Sequence, residues 1–161
     1  MNFCLTVGPE DYVHGKCDQT AKALLEICSI IGFSYKDIYM INSLLCWQGT
    51  NSSGWKSCWE PCLTEGWLQR AIEMCAPRLI VSFGTKALRA VNHLLGGPSG
   101  EPNMGENMDR PRILKGIHIW PLAHPAATRT YPLPRQRKGW YELRTYMDSK
   151  GMGDRNGDAA S

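Results

Sequence analysis

The chain has 161 residues, of which 43% are hydrophobic and 20% are charged, and its net charge at pH 7 is +3. This composition predicts one globular domain with a real core. No apolar run approaches the roughly 20 residues that a transmembrane helix needs, and Met1–Gly8 lacks the basic start of a signal peptide. We therefore expect a protein of the bacterial cytoplasm, or of the host cytoplasm if a phage encodes it, with no membrane partner.

The first half of the chain predicts a strand, a helix and a second strand. Residues 3–7 form a short apolar run before Gly8-Pro9, and a helical spacing of apolar residues follows from Asp18 to Gly32. Asp18 can cap this helix and Gly32 can end it. Residues 37–42 predict the second strand.

An irregular segment, residues 46–61, separates the two halves and contains Trp47, Trp55 and Trp59. These side chains either pack the segment or form a surface for a protein partner or single-stranded DNA. Thr64 then begins a helix whose apolar face includes Trp67.

The second half continues the alternation. Residues 78–83 form a nearly continuous apolar run that is typical of a central parallel strand, and Thr85 is predicted to cap the next helix. Residues 96–109 are rich in Gly and Pro, which predicts a flexible loop. Further strands are predicted at 113–114 and 117–122, a last helix at 136–148, and a disordered tail at 151–161.

Alternating strands and helices predict an α/β fold, a three-layer sandwich with a mostly parallel central sheet of about four strands flanked by helices. Residues 1–150 would form this domain. Ligands of such sheets bind beyond the carboxyl ends of the strands. Gly8-Pro9-Glu10-Asp11, Asn42 and His124-Pro125 are all predicted to lie there.

His124 lies in a strongly basic part of the sequence. Residues 110–141 contain seven Lys or Arg and no Asp or Glu, which favours contact with phosphate. The alternative is a buried histidine that precedes a surface loop.

Three segments carry a resemblance to a known family. Residues 38–46 read Ile-Tyr-Met-Ile-Asn-Ser-Leu-Leu-Cys, residues 76–88 run from Ala-Pro through an apolar strand to Gly-Thr-Lys-Ala-Leu, and residues 121–127 read Pro-Leu-Ala-His-Pro-Ala-Ala. In this order they resemble the uracil-DNA glycosylase superfamily, and family 4 is the most similar type.

The resemblance implies that a damaged base is flipped into a pocket and its N-glycosidic bond hydrolysed. His124 would stabilise the anionic leaving base, and Asn42 would bind the base edge through its amide. Asn42 could instead be an ordinary turn residue. The loop that enters DNA would contain Ala126 and its neighbours Ala127, Thr128 and Arg129, and the phosphates would be held by Arg129, Arg135, Arg137 and Lys138.

The first motif departs from the family 4 pattern because its loop is shorter. Gly8 would still lie at the base pocket. Glu10 or Asp11 would direct the attacking water, and Tyr12 would stack on the base.

The cysteines match a family 4 [4Fe–4S] site only in part. Cys46 and Cys62 match two ligand positions, and Cys58 and Cys17 are the nearest candidates for the others. Because a cluster requires a full set of thiolates, we expect no cofactor, with [4Fe–4S] as the alternative. An odd total of seven cysteines without a secretion signal also argues against a disulfide framework.

Two main hypotheses follow, beside a third in which the chain is a small metal or redox protein that uses Cys46, Cys58 and Cys62. The first is a glycosylase that acts on uracil or a related base in DNA, with no nucleotide cofactor. The second is a non-catalytic member of the fold that acts as a DNA-binding or protein-interaction module, with residues 46–61 as the surface for a protein partner.

Overall fold

A computed structural model describes residues 2–3, 19–34, 38–41 and 66–152 of the chain. Within these ranges lie four strands and five helices, in the order β1 (Asn2–Phe3), α1 (Gln19–Ile31), α2 (Trp67–Cys75), β2 (Leu79–Phe83), α3 (Gly84–Leu95), α4 (Met104–Asn107), β3 (Arg112–Leu114), β4 (Ile117–Leu122) and α5 (Leu133–Ser149). No helix in these ranges has the length and apolar character needed to cross a bilayer.

The strands lie in the order β1-β2-β4-β3. β2 is parallel to both β1 and β4, whereas β3 and β4 form an antiparallel hairpin. The hairpin turn, Lys115-Gly116, has positive φ at both residues, as a two-residue turn of type I′ requires. The α/β class is therefore confirmed, and the sheet is mixed because the hairpin adds an antiparallel edge.

Helices cover both faces of β2 and β4. On one face, α1 and α5 pack on Val81, Trp120 and Leu122, and Trp140 of α5 is fully buried. On the other face, residues of α3 and α4, including Leu88 and Met104, pack on Ile80 and Ile119. Successive residues of a strand point to opposite faces, so an unbroken apolar strand such as β2 requires cover on both.

Two predicted helix ends have different outcomes. Gly32 ends α1 with φ of 74°, which confirms its predicted role. Thr85, predicted to cap α3, does not do so, because the helix already begins at Gly84 and its N-cap residue is Phe83. Gly84 has φ of 80°, which lets the strand turn directly into the helix without a capping side chain.

The flexible loop predicted at residues 96–109 contains the short helix α4. The Asn103 side chain accepts a hydrogen bond from the Gly105 N–H at 2.9 Å and donates one to Glu106 at 3.0 Å. Met104 and Met108 are buried. Capping and apolar burial therefore order a segment whose Gly and Pro content indicated a loop.

Three further boundaries differ from the prediction. The last helix begins at Leu133, and Met152 of the predicted tail packs into the core. Among residues 38–41 of the predicted second strand, Tyr39 forms a single bridge. The remaining residues of the first two predicted strands, together with the Trp-rich segment 46–61, lie outside the described residues.

Trp67 was predicted on the apolar face of its helix, and this was wrong. Its exposed fraction is 52%, and the Arg70 guanidinium lies 5.9 Å from the centre of its ring. The buried side of α2 consists of Leu68 and Ala71. Trp67 begins the helix and lies beside this narrow stripe.

Gly139 of α5 provides a test of the packing. A Cβ atom there would overlap the Asp109 carboxylate and lie 3.1 Å from Cδ2 of Leu122. Gly139→Ala should therefore lower the free energy of unfolding by about 1–3 kcal/mol through overpacking, measured by urea denaturation. In the double variant that also carries Asp109→Ala, the loss of stability should be smaller than the sum of the losses in the two single variants. A rise in stability, as for an open helical glycine, would contradict this packing.

Candidate functional site

The carboxyl ends of β2 and β4 lie side by side. Phe83 pairs with Leu122 in the parallel register, so the residues that follow the two strands, Gly84 and Ala123-His124, are neighbours. A Cβ atom on Gly84 would lie 3.4 Å from the His124 Cβ. The missing side chain at Gly84 therefore leaves the space beside His124 open.

The His124 side chain is half-buried and held by its own turn. The Ala126 N–H donates a hydrogen bond to Nδ1 of the ring at 3.2 Å, and the Ala127 N–H donates to the His124 carbonyl at 2.8 Å. Because Nδ1 is an acceptor, a neutral ring carries its proton on Nε2. His124 is thereby set up as an N–H donor.

A cavity of about 500 Å³ adjoins this turn. Its walls come from the β2–α3 junction, from residues 101–104 and from the segment 123–131, with His124, Ala127 and Tyr131 among them. The volume is in the range of sites for small organic ligands. Sequence reasoning missed residues 101–104, although the Asn103-x-x-Glu106 capping pattern could have indicated order there.

The segment from His124 to α5 is held by hydrogen bonds. The Thr130 and Tyr131 N–H groups donate to the Ala127 carbonyl at 3.2 and 2.9 Å. Gln136, which is 2% exposed, donates from Nε2 to the Tyr131 carbonyl at 2.7 Å. The first turn of α5 thus fixes the end of the His124 segment.

Most of the predicted phosphate-binding cations have carboxylate partners. Arg135 pairs with Asp109 at 2.5 Å, Arg137 with Glu26 at 2.6 Å, and Lys138 with Glu142 at 3.6 Å. The segment that is acid-free in sequence is therefore not acid-free in space. Arg129 differs, because it is exposed and no carboxylate within the described residues pairs with it.

Asp109 is the most constrained of these carboxylates. Its side chain is 7% exposed, its φ is 61°, and its N–H donates to the Pro121 carbonyl at 3.1 Å. Burial raises the pKa of Asp109, although the hydrogen bond and charge of Arg135 act in the opposite direction. Arg135 therefore compensates a buried charge next to the end of β4.

Several predicted site residues lie outside the described residues. These are Gly8, Glu10, Asp11, Tyr12, Asn42, Cys17, Cys46, Cys58 and Cys62. Of the two described cysteines, Cys28 is buried and Cys75 is half-buried. In the described ranges no group of three or more His, Cys, Asp or Glu side chains converges as metal ligands would. The predicted base, water and cluster ligands thus stay predictions.

The Asp109–Arg135 pair predicts a pH-dependent effect. Folding raises the pKa of Asp109. Its ionisation therefore lowers the free energy of unfolding as the pH rises from the pKa of an ordinary carboxyl group through the pKa of Asp109 in the folded protein. Removing the compensating cation raises the folded pKa further. Arg135→Gln should therefore cost about 1–3 kcal/mol near neutral pH and less near pH 4, by chemical denaturation.

The isosteric Asp109→Asn background provides the control. With no carboxylate to ionise, the cost of Arg135→Gln should be smaller and independent of pH. An equal pH dependence in both backgrounds would mean that Arg135 does not act through Asp109.

Comparison with known proteins supplies the family. A model of the uracil DNA glycosylase superfamily matches residues 14–148, which is most of the chain. A comparison with curated protein sequences finds no match. The matched range includes the β2–α3 junction, the His124 turn and nearly all of α5. The chain therefore belongs to the uracil DNA glycosylase superfamily.

Proposed function

We propose that this protein is a DNA glycosylase that hydrolyses the N-glycosidic bond of uracil or a related damaged base. The observation that carries the proposal is the His124 turn. The Ala126 N–H bond to Nδ1 selects the Nε2–H form of the ring, at a cavity of about 500 Å³ on the carboxyl edge of the sheet. Family membership makes DNA the expected partner.

The reaction breaks the bond between the sugar C1′ and the base nitrogen, and the bonding electrons leave with the base. Water then attacks C1′ and releases its proton. A hydrogen bond from His124 Nε2–H to a base oxygen would stabilise the charge that develops on the leaving group. A neutral imidazole suits this role because its Nε2–H can donate while Nδ1 accepts the bond from the Ala126 N–H.

The remaining roles are proposed from the sequence. The amide of Asn42 would bind the donor and acceptor edge of the base. Tyr12 would stack on the base where Gly8 leaves room, and the carboxylate of Glu10 or Asp11 would orient the water. These residues belong to a family 4-like arrangement with a shortened first motif.

DNA would approach over the segment that follows His124. Ala127 lines the cavity and Thr128 and Arg129 are exposed beside it, so these residues would contact the strand from which the base is flipped. Arg135, Arg137 and Lys138 have carboxylate partners, so phosphate would have to compete for them. We propose Arg129 as the first phosphate contact.

We propose that no resident metal is needed, since hydrolysis with leaving-group stabilisation proceeds through side chains alone. The alternative is a [4Fe–4S] cluster on Cys17, Cys46, Cys58 and Cys62. Iron and zinc analysis of anaerobically purified protein distinguishes the two. Four iron atoms per chain, lost in a Cys46→Ala variant, would establish the cluster.

The catalytic role of His124 is tested with a labelled oligonucleotide that contains uracil. After incubation and alkali treatment, the unmodified protein should yield cleaved strand, and His124→Ala should lower single-turnover excision by about a hundredfold or more. His93→Ala is the matched control, because His93 is exposed on α3. Equal rates for His124→Ala and the unmodified protein would contradict the role.

The same assay decides between the proposal and a non-catalytic module. The short first motif favours the module, because the water-directing carboxylate belongs to that motif. If strands with uracil, hypoxanthine and xanthine all stay intact while the protein still binds them, the protein is a DNA-binding module.

Arg129 and Arg137 should differ in their contribution to DNA binding. The log of the association constant for duplex DNA falls with log salt concentration, by about one unit of slope per neutralised phosphate. Arg129→Gln should reduce this slope by about one, whereas Arg137→Gln, which loses a cation already paired with Glu26, should change it less. Fluorescence anisotropy at several salt concentrations measures both. Equal slopes for the two variants would sink the assignment of Arg129.

A further inference from the structure

A second group of polar side chains lies at the opposite edge of the sheet from His124. His118, near the start of β4, pairs in register with Leu79 at the start of β2. The backbone N–H of His118 donates to the Arg78 carbonyl at 3.0 Å. His118 and His124 are six residues apart along an extended chain, which places them about 20 Å apart. The two sites therefore cannot share one small ligand.

The His118 ring is fixed by an aromatic neighbour. Its Nδ1 lies 2.5 Å from the Tyr146 hydroxyl, the two rings meet edge to face with centroids 5.7 Å apart, and Trp120 packs on Tyr146 at 5.0 Å. In the tautomer that carries its proton on Nε2, the Tyr146 hydroxyl donates to Nδ1, and an anion bound at Nε2 would favour this tautomer. The ring then offers an Nε2–H on the side away from Tyr146.

Two cations lie next to this ring. Arg78 donates from Nη2 to the Lys150 carbonyl at 3.3 Å, and the Lys150 ammonium lies 5.8 Å from the centre of the Tyr146 ring. Burial lowers the pKa of His118, and the positive charges of Lys150 and Arg78 lower it further. The bond from Arg78 to the Lys150 carbonyl and the position of the Lys150 ammonium over the Tyr146 ring place both cations around the residue that contacts the imidazole.

These charges lack a carboxylate in the part of the chain that the structure describes. None of its ion pairs involves Arg78 or Lys150. Asp148, which lies two residues before Lys150 at the end of α5, pairs instead with Arg144 at 2.8 Å. An anion that reaches both cations would be attracted by two positive charges.

Arg78 also lines a cavity of about 300 Å³. Its walls are largely apolar and include Phe33, Pro77, Leu79 and Met152. Arg78 thus both contacts Lys150 and lines an apolar recess, an arrangement that suits a ligand with an anionic head and a small organic body.

We propose that Arg78, Lys150 and His118 form a binding site for a phosphate group at the amino edge of the sheet. Arg78 supplies a planar pair of N–H donors, Lys150 a mobile ammonium, and His118 its Nε2–H. The phosphate belongs either to a small phosphomonoester, whose organic body enters the cavity beside Arg78, or to a nucleic acid backbone. The proposal does not depend on glycosylase activity.

The site is tested by NMR of the imidazole groups in the full chain, with the His118 resonances assigned through His118→Gln. Inorganic phosphate should shift them saturably, and sodium chloride at equal ionic strength should not. Arg78→Gln and Lys150→Gln should each weaken the apparent affinity by about tenfold. Arg110→Gln and Lys22→Gln, which remove exposed cations elsewhere, are the matched controls and should leave it unchanged.

The NMR titrations distinguish a phosphate site from its absence. If His118 does not respond to phosphate, or responds equally in the two site variants and their controls, the site does not exist. Should Arg78→Gln fail to fold, Lys150→Gln carries the test, because Lys150 is exposed and follows the last helix. Competition at His118 by a nucleoside monophosphate then identifies a small ligand, and competition by duplex DNA identifies a backbone phosphate. His124→Ala should leave the titration unaltered, so this result and the excision assay fail independently.

Discussion

The parallel pairing of β2 with β4 determines where the chain places its functional groups. Because Phe83 lies opposite Leu122, both strands end together, and the turns that follow them share one edge of the sheet. Gly84 has no side chain there, so the space next to His124 stays open. A slip of the register by one residue would reverse the faces of every side chain in β4 and dismantle both cores. The position of His124 is therefore tied to the stability of the whole domain.

The second determinant is the attachment of the His124 segment to α5. Gln136 holds the Tyr131 carbonyl, and Arg135 neutralises Asp109 beside the end of β4. These contacts lie deeper than residues 128–130, which are exposed. The helix thus fixes the base of the segment, as the proposed leaving-group stabilisation requires, because the donor must be in place before charge develops.

The parts of the fold with strong local patterns were predictable. The unbroken apolar run at residues 79–83 indicated a central strand, and Gly32 marked a helix end through its need for positive φ. The position of His124 after a strand was also readable, and it led to the family. These features depend on neighbours in sequence, which is why a single chain reveals them.

The sequence was least informative where partners are distant along the chain. Residues 110–141 contain no acid, yet Glu26 and Asp109 bring carboxylates to Arg137 and Arg135 from elsewhere in the chain, and Glu142, one turn along α5, pairs with Lys138. Trp67 matched a helical spacing, but the narrow contact surface of α2 leaves it exposed. The Gly-rich segment before β3 is ordered because Met104 and Met108 are buried in a hydrophobic core. Residues 101–104 of the same segment form one wall of the cavity beside His124. Tertiary contacts of this kind are not encoded in local periodicity.

The most direct test of the central claim is the protonation state of His124 and its response to a base. Nitrogen-15 NMR of the imidazole at neutral pH should show an unprotonated Nδ1 and a protonated Nε2, because the Ala126 N–H donates to Nδ1. Addition of free uracil should shift the Nε2 resonance saturably as the base occupies the cavity. A ring protonated on Nδ1, or an Nε2 resonance that uracil leaves unchanged, would contradict the assignment of this edge as a base pocket.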